Sequence, residues 1–160
     1  MSVYEEIFDD LTLWPEWDER FSDEYADYIT PNNPTVVRAV NESRAGRQST
    51  PKDKAMRCWR WVIQNTQYKI SKEWKEPEET ISTGVGDCED VTFLIASMLA
   101  SLGVNRTKVV AGYLIKPNSE PEPHTWNEVD GMVVDATGSP EEVIHLKYDR
   151  EFAYTIMLNN

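Results

Sequence analysis

The segment from Gly86 to Gly103 constrains the fold of this chain more than any other part of its sequence. Its apolar residues recur at the spacing of one helical face, and they are Val91, Leu94, Ile95, Met98, Leu99 and Leu102. Asp87 is a good N-cap, and Gly103 stands where a left-handed residue ends a helix. The pattern predicts an amphipathic helix with Cys88 on an exposed turn at its N-terminus.

Helices are also predicted before this segment. Residues 1 to about 30 are expected to form one or two helices, and the valines of residues 36–40 favour a short one. Thr50 followed by Pro51 is typical of a helix start. The core stripe predicted for the helix that they open is Ala55, Cys58, Trp59, Val62 and Ile63.

After the cysteine helix, the pattern changes to that of β-strands. We expect a strand over residues 108–115, a hairpin over 124–135 and a last strand over 151–158, whereas residues 74–80 are expected to be a loop. Helices followed by an antiparallel sheet indicate a single α+β domain spanning residues 1–160.

The Asp130-Gly131 turn determines which residues face each other in the hairpin. Counting outward from the turn, His124 faces Thr137, and Asp135 lies diagonal to His124 on the same face of the sheet. Diagonal neighbours have Cβ atoms roughly 7–8 Å apart, which an imidazole and a carboxylate can bridge. The register therefore predicts a His124–Asp135 pair.

Cys88, His124 and Asp135 have the residue types of a nucleophile, its base and the group that orients the base. The positive end of the helix macrodipole favours the Cys88 thiolate, and the Cys88 backbone N–H is a candidate oxyanion donor. The carboxylates of Asp87, Glu89 and Asp90 act in the opposite direction, because nearby negative charge raises a thiol pKa. Structural alternatives stay open: a buried thiol, an ordinary strand histidine and a turn aspartate.

The net charge of the chain argues against some classes of binding partner. Sixteen basic and 28 acidic residues give a formal net charge of −12, which argues against binding to nucleic acid or to an anionic membrane surface. No stretch is apolar for long enough to predict a membrane span. Because no secretory signal is recognisable, we expect a cytoplasmic protein with Cys58 and Cys88 reduced. Association with a phage or virus particle and the oligomeric state stay open.

Four groups of residues resemble the core of the transglutaminase-like superfamily, and most closely its bacterial transglutaminase-like cysteine peptidases. They are Trp74-x-x-Pro77-x-Glu79-Thr80, Gly84-x-Gly86-Asp87-Cys88-Glu89-Asp90, His124-x-Trp126-x-Glu128 and Asp135-x-Thr137. The resemblance covers residues 55–138, and residues 1–50 are taken as a helical extension that matches no family. It implies a papain-like fold in which the helix of the nucleophile packs on an antiparallel sheet.

The resemblance also implies an activity. Cys88, His124 and Asp135 would form a catalytic triad that cleaves or transfers an amide acyl group through a cysteine thioester. The substrate would be a protein or peptide. Two alternatives stay open: a protein-glutamine acyltransferase, and a non-catalytic binding or assembly module that keeps the fold.

Further assignments follow from the same resemblance. Trp74 and Trp126 are the candidate substrate-binding residues, and no cofactor is required. Some members of the peptidase branch bind calcium through acidic residues that flank the cysteine, which makes Asp87, Glu89 and Asp90 candidate ligands here. Helix capping and solvent exposure explain these carboxylates equally well, so calcium stays open.

Overall fold

The computed structural model describes residues 25–105, 107–137 and 147–156, so most of the region predicted to be helical, residues 1 to about 30, lies outside the described part. The helices are α1 (Pro34–Ser43), α2 (Pro51–Asn65), α3 (Pro77–Thr83) and α4 (Cys88–Ser101), with a 3₁₀ turn at Ala45–Arg47. The strands are β1 (Gln67–Tyr68), β2 (Val85–Gly86), β3 (Thr107–Ile115), β4 (Glu122–Val129), β5 (Met132–Val134) and β6 (Lys147–Ile156). Among the described helices, none has the length and apolarity that crossing a membrane requires.

Helix α4 lies at the centre of the fold. It packs against the helices α1, α2 and α3 and against the strands β3 and β4, and every residue from Asp90 to Ala100 is buried. The prediction of an amphipathic helix was therefore wrong, because helices cover α4 on one side and the sheet covers it on the other. Its polar residues are satisfied internally: Thr92 Oγ1 donates to the Thr125 carbonyl at 3.3 Å, and Ser97 Oγ accepts from the Thr30 N–H at 3.0 Å.

Both ends of α4 are capped as the sequence predicts. Asp87 Oδ1 accepts a hydrogen bond from the Asp90 N–H, and Asp90 Oδ2 accepts one from the Asp87 N–H, each at 3.1 Å. At the other end, Gly103 has a φ of 77° and closes a Schellman motif through its own N–H and that of the next residue. These caps fix Cys88 as the first helical residue.

Helix α2 begins as predicted, with Thr50 as its N-cap and a proline at the first position. Its buried residues are Ala55, Cys58, Trp61 and Val62. Three positions of the predicted stripe are confirmed, but Trp59 and Ile63 are only half-buried. Trp61 is buried in their place because its side chain turns toward α1, where the indole N–H donates to Glu42 Oε2 at 3.1 Å.

The segment between α2 and α4 contains regular structure that no periodic sequence pattern predicts. Strands β1 and β2 form a two-stranded parallel ladder, and α3 lies between them. The prediction of a loop over residues 74–80 was therefore wrong from Pro77 onward. Pro77 at the first position and glutamates in the first turn are helix-start signals. Seven residues are too few, however, to show a helical period.

The main sheet is antiparallel, with the strand order β5-β4-β3-β6. The predicted hairpin register is confirmed, since Glu128 pairs with Val133, and Asp130 and Gly131 both have positive φ, 48° and 77°. Strand β6 begins four residues before the predicted Glu151, and its predicted last residues lie outside the described part. Helices followed by this sheet confirm the α+β class.

Candidate active site

Cys88 lies at the N-terminus of α4, where backbone N–H groups have no partner within the helix. These donors and the macrodipole make the turn a favourable place for a developing negative charge. Only 9% of the Cys88 surface is exposed, so the prediction of an exposed turn was wrong. The thiol is a mostly buried group at the N-terminus of α4.

The ring of His124 and the carboxylate of Asp135 are in direct contact. His124 Nε2 lies 2.8 Å from Asp135 Oδ2, and the two side chains are 7% and 1% exposed. The contact predicted from the hairpin register is therefore present. Because Asp135 takes Nε2, Nδ1 is the ring nitrogen left for a thiol or a substrate.

Asp135 is held by several donors. Thr137 donates to Oδ1 through its hydroxyl at 2.7 Å and its backbone N–H at 3.0 Å, and the Tyr148 hydroxyl donates to Oδ2 at 2.8 Å. The Trp59 indole on α2 donates to the Asp135 backbone carbonyl at 2.7 Å. Burial alone would raise the pKa of Asp135, but the hydrogen bonds from His124, Thr137 and Tyr148, together with the His124 charge, lower it. The carboxylate is therefore fixed in place and ionised.

Cys88 and His124 both line one cavity of about 640 Å³. Thr137 also lines this cavity, as do Tyr68 and the acidic residues around Cys88. A backbone hydrogen bond from Thr125, the residue after His124, reaches Cys88. Asp135 does not line the cavity and is buried behind His124. The imidazole of His124 therefore lies between the cavity and the Asp135 carboxylate. We call this space the Cys88 cavity.

The Cys88 thiol is held in its protonated form. Burial is the main cause that raises its pKa, and the neighbouring Glu89 charge adds to it. Cys88 Sγ donates a hydrogen bond to Glu89 Oε2 at 3.1 Å. These effects outweigh the Thr125 hydrogen bond, which lowers the pKa of the thiol. The expected effect of the flanking carboxylates is confirmed for Glu89 and Asp87, and the effect of the helix macrodipole on the thiol stays a prediction.

Negative charge affects other groups of the Cys88 cavity as well. Burial raises the pKa of Asp87 to about 7, with further contributions from the charges of Glu89 and Asp90. Burial also raises the pKa of Tyr68 to about 12, and the negative charges of Asp87 and Glu89 add to the effect. The cavity therefore disfavours any additional negative charge, including a free thiolate.

The sequence profile of the transglutaminase-like superfamily matches residues 38–134, which is more than half of the chain. The chain belongs to the transglutaminase-like superfamily. The match confirms the family resemblance, and the matched residues include the motifs that contain Cys88 and His124 but end before Asp135. A comparison with curated proteins gives no match.

The fold of this chain is similar to that of a solved structure. A protein from Cytophaga hutchinsonii, described as a candidate cysteine protease, aligns with a TM-score of 0.51 and 15% identity over 86% of this chain. The alignment covers 57% of that protein, so this chain spans less than two thirds of its length. LapG from Legionella pneumophila aligns over 76% of this chain and 87% of LapG, with 17% identity and a TM-score of 0.32. At such identity, the Cytophaga similarity shows the fold alone.

The two tryptophans assigned to substrate binding lie elsewhere. Trp74 packs in an aromatic cluster against Tyr25, Tyr28 and Phe93, with ring centroids 5.3–5.6 Å from its own, and it does not line the Cys88 cavity. Trp126 is fully buried beside His124, with centroids 6.1 Å apart. Neither indole lines the Cys88 cavity, so the structure does not bring these two residues to the site of Cys88 and His124.

The Trp126 indole has a polar partner beneath the site. Its N–H donates to Glu128 Oε2 at 3.1 Å, and Arg150 on β6 forms an ion pair with the same carboxylate. The Tyr148 ring lies 4.9 Å from that of Trp126. Trp126 and its partners therefore pack against the His124 ring and connect side chains of β4 and β6.

The candidate calcium ligands do not converge. Asp87 and Asp90 bind each other's backbone N–H in the capping box, and Glu89 accepts from the Cys88 thiol. In the described ranges no group of three carboxylate, histidine or cysteine side chains could hold a metal ion. The residues present therefore do not fit the calcium site that the family implies, because their oxygens are turned to other partners.

Thr137 and Tyr148 both contact Asp135, but only Thr137 could be predicted from the sequence. Thr137 is part of the Asp135-x-Thr137 motif, and the hairpin register places it opposite His124. Tyr148 was missed, because its contact with Asp135 depends on how β6 lies beside β3. An aromatic residue on a strand gives no signal that its hydroxyl reaches a particular carboxylate.

Proposed function

We propose that this member of the superfamily cleaves an amide bond of a protein or peptide through a thioester on Cys88. His124 acts as general base and then as general acid, and Asp135 orients the imidazole. The observation that carries the proposal is the His124–Asp135 pair, 2.8 Å apart, beside a cavity that also contains a cysteine at a helix N-terminus.

The proposed reaction starts from the neutral thiol. Cys88 Sγ gives its proton to His124 Nδ1 as the sulfur attacks the carbonyl carbon of the substrate. The oxyanion of the tetrahedral intermediate is stabilised by the Cys88 backbone N–H at the start of α4. His124 then passes the proton to the departing amine, the C–N bond breaks, and a thioester remains on Cys88. Water, deprotonated by His124, hydrolyses the thioester and restores the thiol.

The charge distribution of the site supports these roles. Asp135 is ionised and buried beside His124, so it stabilises the imidazolium that forms when the thiol loses its proton. Because its raised pKa favours the protonated thiol, we propose that Cys88 loses its proton to His124 as the sulfur attacks. Because this chemistry needs a free thiol, we propose that the protein works in a reducing compartment such as the cytoplasm.

The experiment is turnover of a panel of peptide esters and amides by the wild type and by Cys88→Ala. Cys58→Ala is the matched control, since Cys58 is fully buried on α2 and burial raises its pKa to about 12. We expect loss of turnover in Cys88→Ala and normal turnover in Cys58→Ala. Equal rates in the wild type and Cys88→Ala would overturn the proposal in favour of a non-catalytic module. A product conjugated to added amine in place of the free acid would identify an acyltransferase.

A further inference from the structure

Three carboxylates lie within four residues at the start of α4, and we call Asp87, Glu89 and Asp90 the acidic turn. Asp90 is its innermost member and is fully buried. A buried carboxylate needs a counter-charge and hydrogen-bond donors, since an uncompensated one is strongly destabilising. The family places calcium beside the cysteine in some members, but the carboxylates of this chain are turned away from a common centre. Another cation must therefore balance Asp90.

Lys75 supplies that cation. Its ammonium Nζ lies 3.5 Å from Asp90 Oδ2, and its backbone N–H donates to Asp90 Oδ1 at 2.8 Å. The Lys75 side chain is itself only 17% exposed. With the N–H of Asp87 on Oδ2, both oxygens of Asp90 are occupied. One lysine thus gives the buried carboxylate both a charge and a backbone donor.

The position of this ammonium is incompatible with a calcium ion on the same carboxylate. Calcium requires six to eight oxygens at about 2.3–2.6 Å, mostly from carboxylates and carbonyls. An ion bound to Asp90 Oδ2 would stand against the Lys75 ammonium, and the two positive charges would repel each other. Glu89 is turned to the Cys88 thiol, so it adds no oxygen at that place.

We propose that Lys75 is a built-in replacement for a divalent cation at the acidic turn, so that the structure around Cys88 is independent of calcium. Lys75 follows Ile70 and Ser71, which line the Cys88 cavity, in the connection between β1 and α3. The double contact with Asp90 therefore ties one wall of the cavity to the start of α4. Thermal stability tests the assignment independently of any catalytic activity.

The experiment compares melting temperatures in millimolar calcium chloride and in EGTA for the wild type, Lys75→Met and Lys72→Met. Lys72 is an exposed lysine of the same connection and serves as the matched control. We expect the wild type to melt at the same temperature in both buffers. We expect Lys75→Met to melt several degrees lower than Lys72→Met, because Asp90 loses its counter-charge.

A higher melting temperature of the wild type in calcium than in EGTA would overturn the proposal, as would a Lys75→Met variant that melts like Lys72→Met. If Lys75→Met does not fold, calorimetric titration of the wild type with calcium chloride decides alone. Absence of binding heat at millimolar calcium supports the replacement, whereas stoichiometric binding contradicts it.

Discussion

The Cys88 thiol faces two partners with opposite effects on its reactivity. Glu89 Oε2 accepts a hydrogen bond from the Cys88 thiol, and the Glu89 charge raises the pKa of that thiol. His124 is the base that the proposed reaction needs. The free protein therefore holds a thiol that is weakly nucleophilic at neutral pH. A substrate that draws the Glu89 carboxylate away from sulfur would release the thiol toward His124.

Neutralising Glu89 should activate Cys88 in the free protein. Glu89→Gln removes the negative charge that raises the thiol pKa, so the pKa falls and more thiolate is present at a given pH. We expect faster alkylation of Cys88 by iodoacetamide between pH 7 and 9, located by mass spectrometry. Glu79→Gln, an exposed glutamate on α3, is the control and should leave the rate unchanged. Equal rates in Glu89→Gln and the control would contradict this role of Glu89.

Asp135→Asn should impair both chemistry and stability. Asparagine leaves His124 free to adopt the wrong tautomer, and comparable triads then lose about 10⁴-fold in turnover. Since Asp135 is buried and accepts hydrogen bonds from three side chains, we also expect a loss of about 1–3 kcal/mol in the free energy of unfolding. Peptide-ester turnover and urea unfolding measure the two effects. Asp130→Asn, in the hairpin turn, should change neither, and unchanged turnover in Asp135→Asn would refute the triad.

At the scale of elements, local signals predicted boundaries well and burial poorly. The Asp87 cap and Gly103 fixed both ends of α4, and Asp130-Gly131 fixed the hairpin register and so the contact between His124 and Asp135. The burial of α4 was not predictable, because it depends on helices and strands from distant parts of the chain packing on both of its sides. The short helix α3 and the β1–β2 ladder gave no periodic pattern.

The pairing of β3 with β6 depends on the absence of a side chain at Gly112. A Cβ at this position would overlap the carbonyl oxygen of Asp149 and lie 3.0 Å from Trp126 Cη2. We expect Gly112→Ala to lower the free energy of unfolding by about 3 kcal/mol in urea titrations. Gly103→Ala, strained at a φ of 77° but with open space around it, should lose only about 1 kcal/mol. Equal losses would show that β6 does not approach β3 as described.

At the scale of the whole molecule, stability should fall as pH rises through neutrality. Asp87 has a pKa of about 7 in the folded state and about 3.9 when unfolded, so its stabilising contribution is complete below pH 4. That contribution is lost as the pH rises to 7 and above. Asp87→Asn is neutral throughout, so its unfolding free energy should depend less on pH between 5 and 8 than that of the wild type. Urea titrations test this, and curves parallel to those of the wild type and of the exposed control Asp53→Asn would contradict it.

The sequence was informative about the site wherever its chemistry is local. The cap places Cys88 at the start of α4, and the turn and the hairpin register pair His124 with Asp135. Lys75 and Tyr148 could not be placed in this way, because their contacts with Asp90 and Asp135 depend on how a connection and an edge strand pack. The contacts of these two residues are therefore visible only in the folded chain.

A covalent acyl-enzyme on Cys88 can be detected by intact-protein mass spectrometry after brief incubation with an activated peptide ester. We predict one acyl adduct on the wild type and on Cys58→Ala, located on the peptide that contains Cys88, and none on Cys88→Ala. Hydroxylamine should remove the adduct, because a thioester is labile to it. No adduct across the panel of esters, or an adduct that persists in Cys88→Ala, would contradict the account.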